Sequence, residues 1–311
     1  MKSFDQRLVE AVRDKREALG LSIRALSAVV GISFSTLARI ERGDGLPDNN
    51  SKIRLLEWLG DDADKAGLSF DQIAFVHFRA GKNIRSTTVQ ALLNAADCLK
   101  EDWSKRNRPS GLTKEQSEHV PLELSKEELE RAAERFRRDL GLAADQPLDS
   151  LKLTVEGVEI VKLTRTNCLD SATVRKLSAE ACEEWSAMSV PLSEIDDEWA
   201  VLLNDCHSVE RQRVTLLEEL WHILLGHKLT KIARIAESYG RTYDSAEEHS
   251  AYYLASATLL PREAVIEGVA EGQSSAEIAL RFGTSPELVD YRVKRLGLWR
   301  DHTGKKVVLA G

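Results

Sequence analysis

Cysteine is scarce in this chain. The 311 residues hold four, Cys98, Cys168, Cys182 and Cys206, and no two form a C-x-x-C pair. That spacing argues against a cysteine-built zinc ribbon or a disulfide framework, and for free thiols in a reducing compartment. Long apolar runs are missing too: none approaches the roughly 20 residues that span a bilayer. The opening MKSFDQRLVEAVRDKREALG is charged throughout and lacks a signal-peptide apolar core. There is no internal repeat and no long low-complexity tract. Together these absences set the expectation of a cytoplasmic protein without a membrane partner.

What is present is ordinary for a globular protein: 42% hydrophobic and 30% charged residues, in a chain long enough for two or three domains. The net charge of −7 is unevenly spread. Residues 1–108 hold 18 Lys and Arg against 15 Asp and Glu, whereas the remainder holds 25 against 35. A basic head on an acidic body suits nucleic-acid binding.

The head reads as four short helices. Phe4, Leu8, Ala11, Val12 and Leu19 recur at helical spacing until Gly20. Ser22 is placed to cap IRALSAVV, Gly31 breaks the pattern, Ser33 is placed to cap FSTLARIER, and Gly43 closes it. SKIRLLEWLG follows the turn DGLPDNN. The segment 21–43 therefore has helix–turn–helix spacing, with Leu26, Val30, Ile32, Leu37 and Ile40 apolar where the two helices must pack. On Ser22, Leu26, Gly31-Ile32-Ser33 and Ile40-Glu41-Arg42-Gly43 it resembles the Xre/Cro/C1-type repressor family over about residues 5–60. The resemblance implies that Ser33, Phe34, Ser35, Thr36 and Arg39 face bases in the major groove, and that Arg24 and Arg42 reach phosphates. Ile23 and Phe34 stand where the family often has glutamine, so Phe34 is expected against a thymine methyl instead of an amide contact. Double-stranded operator DNA is the partner implied, bound by a homodimer. Arg79, Lys82 and Arg85 just beyond the head offer a supplementary phosphate contact or a solvated basic turn.

Residues 69–103 read as two further helical patterns, the clearer being STTVQALLNAADCLKEDW. The polar stretch 104–125 reads as a linker, and Ser125 is placed to cap KEELERAAERFRRDLG. LTVEGVEIVKL reads as a strand or tight hairpin and WAVLLN as a buried strand, and from residue 209 onward helices dominate. The expected fold is mainly α with a small β component: a helix–turn–helix domain of four or five helices joined to an α+β domain. The expected boundaries are 1–62 for the head, 63–104 for a helical extension, 105–125 for the linker, 126–300 for the body and 301–311 for a tail.

The body holds TLLEELWHILLGH at 215–227. A zinc-protease helix carries H-E-x-x-H, with two histidines four apart on one face and a glutamate beside the metal-bound water. Here the five positions read Glu218-Glu219-Leu220-Trp221-His222. Glu218 and His222 share a face, and the later EEHSAYYLASATLLP offers a third ligand. These two blocks resemble the ImmA/IrrE family of metallopeptidases, with its R-x-R/F-T-L-A-H-E-x-G-H-x-x-L-G-H and E-x-x-A-N-x-F-A-A-x-L-L-x-P. Arg213, Thr215, Leu216, Glu219, His222, Leu225, Gly226 and His227 match the first block; Glu248, Ala251, Ala255, Leu259 and Pro261 match the second. Asn204 matches an asparagine before the helix, and SSAEIALRFGTSPELVDYRVKRLGLW matches the closing segment. The resemblance implies a zincin-like α+β fold for the body, His222 and Glu248 as metal ligands and Glu219 as the general base.

Three departures stand out: Glu218 replaces the first histidine ligand, Trp221 a glycine and Tyr252 an asparagine. A Glu218/His222/Glu248 set is harder than the family's, so a bound divalent ion is expected to be manganese as readily as zinc, or absent. Trp221 is expected to add bulk at the site, and Glu218 and Glu219 to stand as a solvated or structural pair if catalysis is lost. His207 and His227 read as packing or surface residues, and His249 points away from Glu248's face. The preferred reading is a transcriptional repressor whose body senses or recruits with impaired catalysis. The alternatives are a metal-dependent endopeptidase that cuts itself or a cognate repressor, and an antitoxin-like regulator that binds a toxin.

Overall fold

The structure, a computed structural model, describes residues 2–80, 84–107, 124–193, 197–227, 229–235, 238–241 and 245–304. The head comprises α1 (Phe4–Ala18), α2 (Ile23–Val30), α3 (Phe34–Arg42), α4 (Asn49–Leu59) and the short α5 (Asp61–Lys65). Local chemistry explains each start. Ser3 and Gln6 form a capping box on α1, and Ser22, Ser33 and Asp48 accept from Ala25 N, Thr36 N and Ser51 N on α2, α3 and α4. Each satisfies a backbone donor that the first helical turn would otherwise leave orphaned. Leu8, Val12, Leu26, Val30, Ile32, Leu37 and Ile53 bury together as the head's core. Leu19 lies past the end of α1 and is exposed. Arg16 ties α1 to α3, its Nε and Nη2 donating to buried Glu41 at 2.7 and 2.8 Å.

The turn between α2 and α3 depends on Gly31. Its φ of +64° is left-handed, and Arg54 Nη1 donates to its carbonyl at 2.7 Å across the spot a Cβ would fill. Gly31→Ala is expected to cost about 1–2 kcal/mol for the left-handed backbone, plus whatever the displaced Arg54 contributes. Urea unfolding measures it; a stability within error of wild type would contradict the account.

The fold is mainly α, with one six-stranded sheet ordered β2-β4-β3-β1-β5-β6. The strands are β1 (Gln72–Ala80), β2 (Val158–Lys162), β3 (Trp185–Pro191), β4 (Trp199–Leu203), β5 (Thr230–Ile235) and β6 (Ser238–Arg241). β2 and β4 run parallel; the other pairs are antiparallel. The strands expected within 153–163 and at 199–204 are therefore present, the former turning at Gly157, where Val155 bridges Val158. The helical extension expected at 63–104 is corrected. Residues 72–80 form β1, seated between β3 and β5 near the centre of the sheet, and only α6 (Ser86–Arg106) is the expected helix. The reason is tertiary: Ala74, Val76 and Phe78 pack with Val89, Leu92, Leu93 and Leu99 of α6 against Met188, Val190 and Leu202. The segment thus belongs to the sheet's core. Helices dominate from residue 209 as expected, with the β5–β6 hairpin as an addition among them. Ala233 of β5 is buried in the head's core, which joins the head to the sheet.

The other face of the sheet carries α9 (Val209–Leu224), with Leu216 and Leu220 against Ala187, Val201 and Leu203. Behind α9 lie α7 (Lys126–Asp139), α10 (Ser245–Leu259), α11 (Arg262–Ala270), α12 (Ser275–Phe282) and α13 (Pro286–Leu296) in one apolar cluster. Small helices α8 (Ser171–Arg175) and α14 (Trp299–Thr303) complete the set. Most of the expected linker, residues 108–123, and the tail from 305 lie outside the described residues. Among the described residues no single helix is long and apolar enough to cross a membrane.

Candidate metal centre and DNA-facing helix

Helix α9 is buried along most of its length because it lies between the sheet and α10. Its i, i+4 spacing sets Glu218 and His222 on one face, and α10 brings Glu248 up to them. Glu218, His222 and Glu248 each offer a ligand atom within 4.8 Å of the others, and His222 Nε2 stands 3.8 Å from Glu248 Oε1. The structure thus brings together the three residues singled out in the sequence. The donor set fits a divalent ion: two carboxylates and an imidazole converge in a nearly closed site, where carboxylates need positive charge or hydrogen bonds.

His222 is oriented from behind. Its Nδ1 lies 2.9 Å from His227 Nδ1, His227 Nε2 lies 3.3 Å from Ser250 Oγ, and Ser250 Oγ donates to the Glu247 carbonyl at 2.9 Å. A single donor sense runs through the row. With both rings neutral, the sense that fits Ser250's own donation is His222 Nδ1–H to His227 and His227 Nε2–H to Ser250, which turns the His222 Nε2 lone pair toward the carboxylates. His227 is half-buried and packs behind His222, the packing role expected of it.

Glu218 and Glu219 are both buried, at 3% and 1% exposure, so of the solvated or structural pair expected, the solvated form does not hold. Glu219 Oε2 accepts from Ser189 Oγ of β3 at 2.5 Å. Ser189 pairs in register with His77 of β1, whose ring stacks on His222 at 4.9 Å and on Trp199 at 5.5 Å. Sequence reasoning missed His77, Ser189 and Ser250. The expectation for Trp221 is also corrected. One residue before His222, it turns about 100° away and buries its indole in the apolar cluster, against Phe136 at 5.2 Å and with Nε1 donating to Thr258. It adds no bulk at the site. His249 packs beside Arg295, outside the cluster.

In the head, Ser33, Phe34, Ser35, Arg39 and Arg42 are exposed on α3 and Thr36 half-buried, with Arg24 exposed on α2. Ser33 Oγ caps α3 and lies 2.8 Å from Thr36 Oγ1 and 3.1 Å from Ser35 Oγ, so the hydroxyls form one small cluster. The Arg24 guanidinium lies over the Phe34 ring at 5.2 Å. Arg42 Nε donates to Asp44 at 2.8 Å, a pair both of whose members are well exposed and easily exchanged for a phosphate. Of the basic group beyond the head, Arg85 is paired with Glu184, and Lys82 lies outside the described residues.

Residues 185–294 match the family described as the IrrE N-terminal-like domain, and residues 12–51 match the family described as Helix-turn-helix. The first span takes in Glu218, Glu219, His222 and Glu248; the second takes in α2 and α3. No curated protein and no solved structure matches the chain. The sheet's β1 and β2 and helices α6 and α7 fall outside both spans, although β1 supplies His77 to the site.

Proposed function

We propose that this chain, a helix-turn-helix domain joined to an IrrE N-terminal-like domain, represses transcription from double-stranded operator DNA and carries a metal-binding body that does not cut peptides. The observation that carries the second half is Glu218. It stands in the ligand set where the resembling metallopeptidases have histidine, so two carboxylates face the ion position together with His222. A divalent ion bound there would act as a Lewis acid, and two anionic ligands weaken that property. Glu219 is the residue in the base position, and one of its oxygens is already taken by Ser189. Both features support impaired catalysis. The oxygen-rich set favours manganese alongside zinc.

Ser35, Thr36 and Arg39 read bases, assisted by the Phe34 ring, while Arg24 and Arg42 hold phosphates. The head works as a homodimer in the cytoplasm, because two recognition helices read a two-fold site. β1 follows α5 out of the head and ends beside the metal cluster, which gives the body a direct way to act on the head.

Intact-mass spectrometry tests the catalytic part. The full chain, held overnight with zinc or manganese and with operator DNA, is expected to remain one species of 34.7 kDa. Metal-dependent cutting within 104–125 that stops in Glu219→Gln would establish the endopeptidase instead.

A further inference from the structure

A second group of metal-ligating side chains sits at the opposite end of α9. Cys182, Glu183 and His207 each present one ligand atom within 4.8 Å of the others. His207 Nδ1 is the centre of the group, 3.9 Å from Cys182 Sγ and 3.8 Å from Glu183 Oε1. Its side chain is buried, with 3% exposure, so its orientation is set by the fold and not by solvent.

The tautomer follows from its neighbours. Asn204 Nδ2 donates to the carbonyls of Cys182 and Trp185 at 3.0 and 3.1 Å, and with both amide hydrogens so placed its 3.2 Å approach to His207 Nε2 is a contact and not a bond. The remaining donor toward Trp185 O is His207 Nε2, at 3.0 Å. Nε2 therefore carries the ring proton, and Nδ1 carries the lone pair that faces the thiol and the carboxylate. Gln212 Nε2 donates to the His207 carbonyl at 2.7 Å and fixes the backbone. Such outer partners are what orient a histidine ligand and settle which nitrogen binds. Glu183 accepts from Arg211 through Oε2 at 2.6 Å, which leaves Oε1 turned to the group.

We propose that Cys182, Glu183 and His207 form a second metal site, for a zinc-class ion, separate from the Glu218/His222/Glu248 cluster. The two donor sets differ in softness. Thiolate and imidazole select zinc, whereas a carboxylate-rich set takes manganese as readily. Bound there, zinc ties the start of β3, at Trp185, to Ser208, the N-cap of α9. The helix that carries the first site is thereby anchored at its other end.

Cobalt(II) titration of the full chain tests this, because a cobalt–thiolate charge-transfer band in the near ultraviolet reports cysteine ligation independently of any activity. The band is expected in wild type, displaced by zinc, retained in Glu218→Gln and Cys98→Ser, and lost in Cys182→Ser. Zinc affinity in Cys182→Ser should fall by at least about tenfold. No thiolate band in wild type, or a band that survives Cys182→Ser, overturns the proposal. Should Cys182→Ser fail to fold, alkylation of the wild-type chain decides. Protection of Cys182 by zinc supports the site; equal alkylation with and without zinc overturns it.

Discussion

Arg292→Met is expected to destabilise the chain by about 3–5 kcal/mol. Arg292 is fully buried, and its Nη1 and Nη2 donate to Glu130 Oε1 and Oε2 at 2.9 and 3.0 Å. Its Nε donates to the Leu260 carbonyl at 3.1 Å, and Tyr253 donates its hydroxyl to Glu130 at 2.5 Å. The group joins α7, α10 and α13 around the cluster that backs α9. Removing the guanidinium leaves a buried carboxylate with one hydroxyl donor, and that uncompensated charge is the source of the loss. Replacing both partners, Glu130→Leu with Arg292→Met, should recover most of it, because the pair's attraction is largely offset by its desolvation. Urea midpoints of the two single variants and the double variant measure this; equal losses in Arg292→Met and the double variant would contradict it.

The same group predicts an acid limit. Burial alone would raise the Glu130 carboxyl, but the bonds and charge of Arg292 and the Tyr253 hydroxyl outweigh it and hold the group below the usual carboxylate range. A folded value below the unfolded one means stability that is present above the unfolded value and lost as pH falls through the folded one. Glu130→Gln should be less stable than wild type at neutral pH. The gap should narrow below the ordinary range of glutamate. Tyr253 is pushed up to about 12, first by burial and then by Glu130, so it remains a proton donor throughout that window.

The second large effect concerns the first metal cluster. Glu218→Gln or His222→Ala should weaken divalent-ion binding by roughly 100-fold or more, beyond the 10–100-fold that changes in outer-shell partners cost. His227→Ala falls in that lesser class, because it leaves the ligands in place and removes only the acceptor for His222 Nδ1. Glu218→His should leave affinity in place but move preference toward zinc over manganese, since an imidazole replaces a hard oxygen. Trp221 does not stand in the way, because its indole lies in the apolar cluster. Calorimetric titration with each ion reads all four variants, in the Cys182→Ser background so that the second group does not contribute. An unchanged zinc-to-manganese ratio in Glu218→His would place the ion elsewhere.

The head was legible because its signals are local. Ser22, Ser33 and Gly31 act within four residues of themselves, and the structure uses all three as caps or turns. The Glu218/His222 face was legible for the same reason, being a matter of helical spacing. β1 was not, because the partners that make it a strand, β3 and β5, lie more than a hundred residues downstream. Near the sheet's centre its residues 76–78 are covered on both faces, Val76 and Phe78 against α6 and His77 against His222, while the exposed residue on the His77 face, Phe75, is itself apolar. The strand therefore lacks the polar side of an ordinary alternation. Glu219's bond to Ser189 and the row through His227 and Ser250 were hidden for the same cause, since each joins elements distant in the chain. Trp221 shows the opposite error. Its position in the motif suggested obstruction, and only the packing of α9 on α10 reveals which way it turns.

The central claim is that the head reads operator DNA, and selection from a random double-stranded library with the full chain tests it most directly. The account predicts enrichment of one two-fold-symmetric site, with half-sites about one helical turn apart. Arg39→Ala should lose that enrichment while keeping the fold. No enriched sequence from folded wild-type protein, or enrichment indifferent to Arg39, would contradict it.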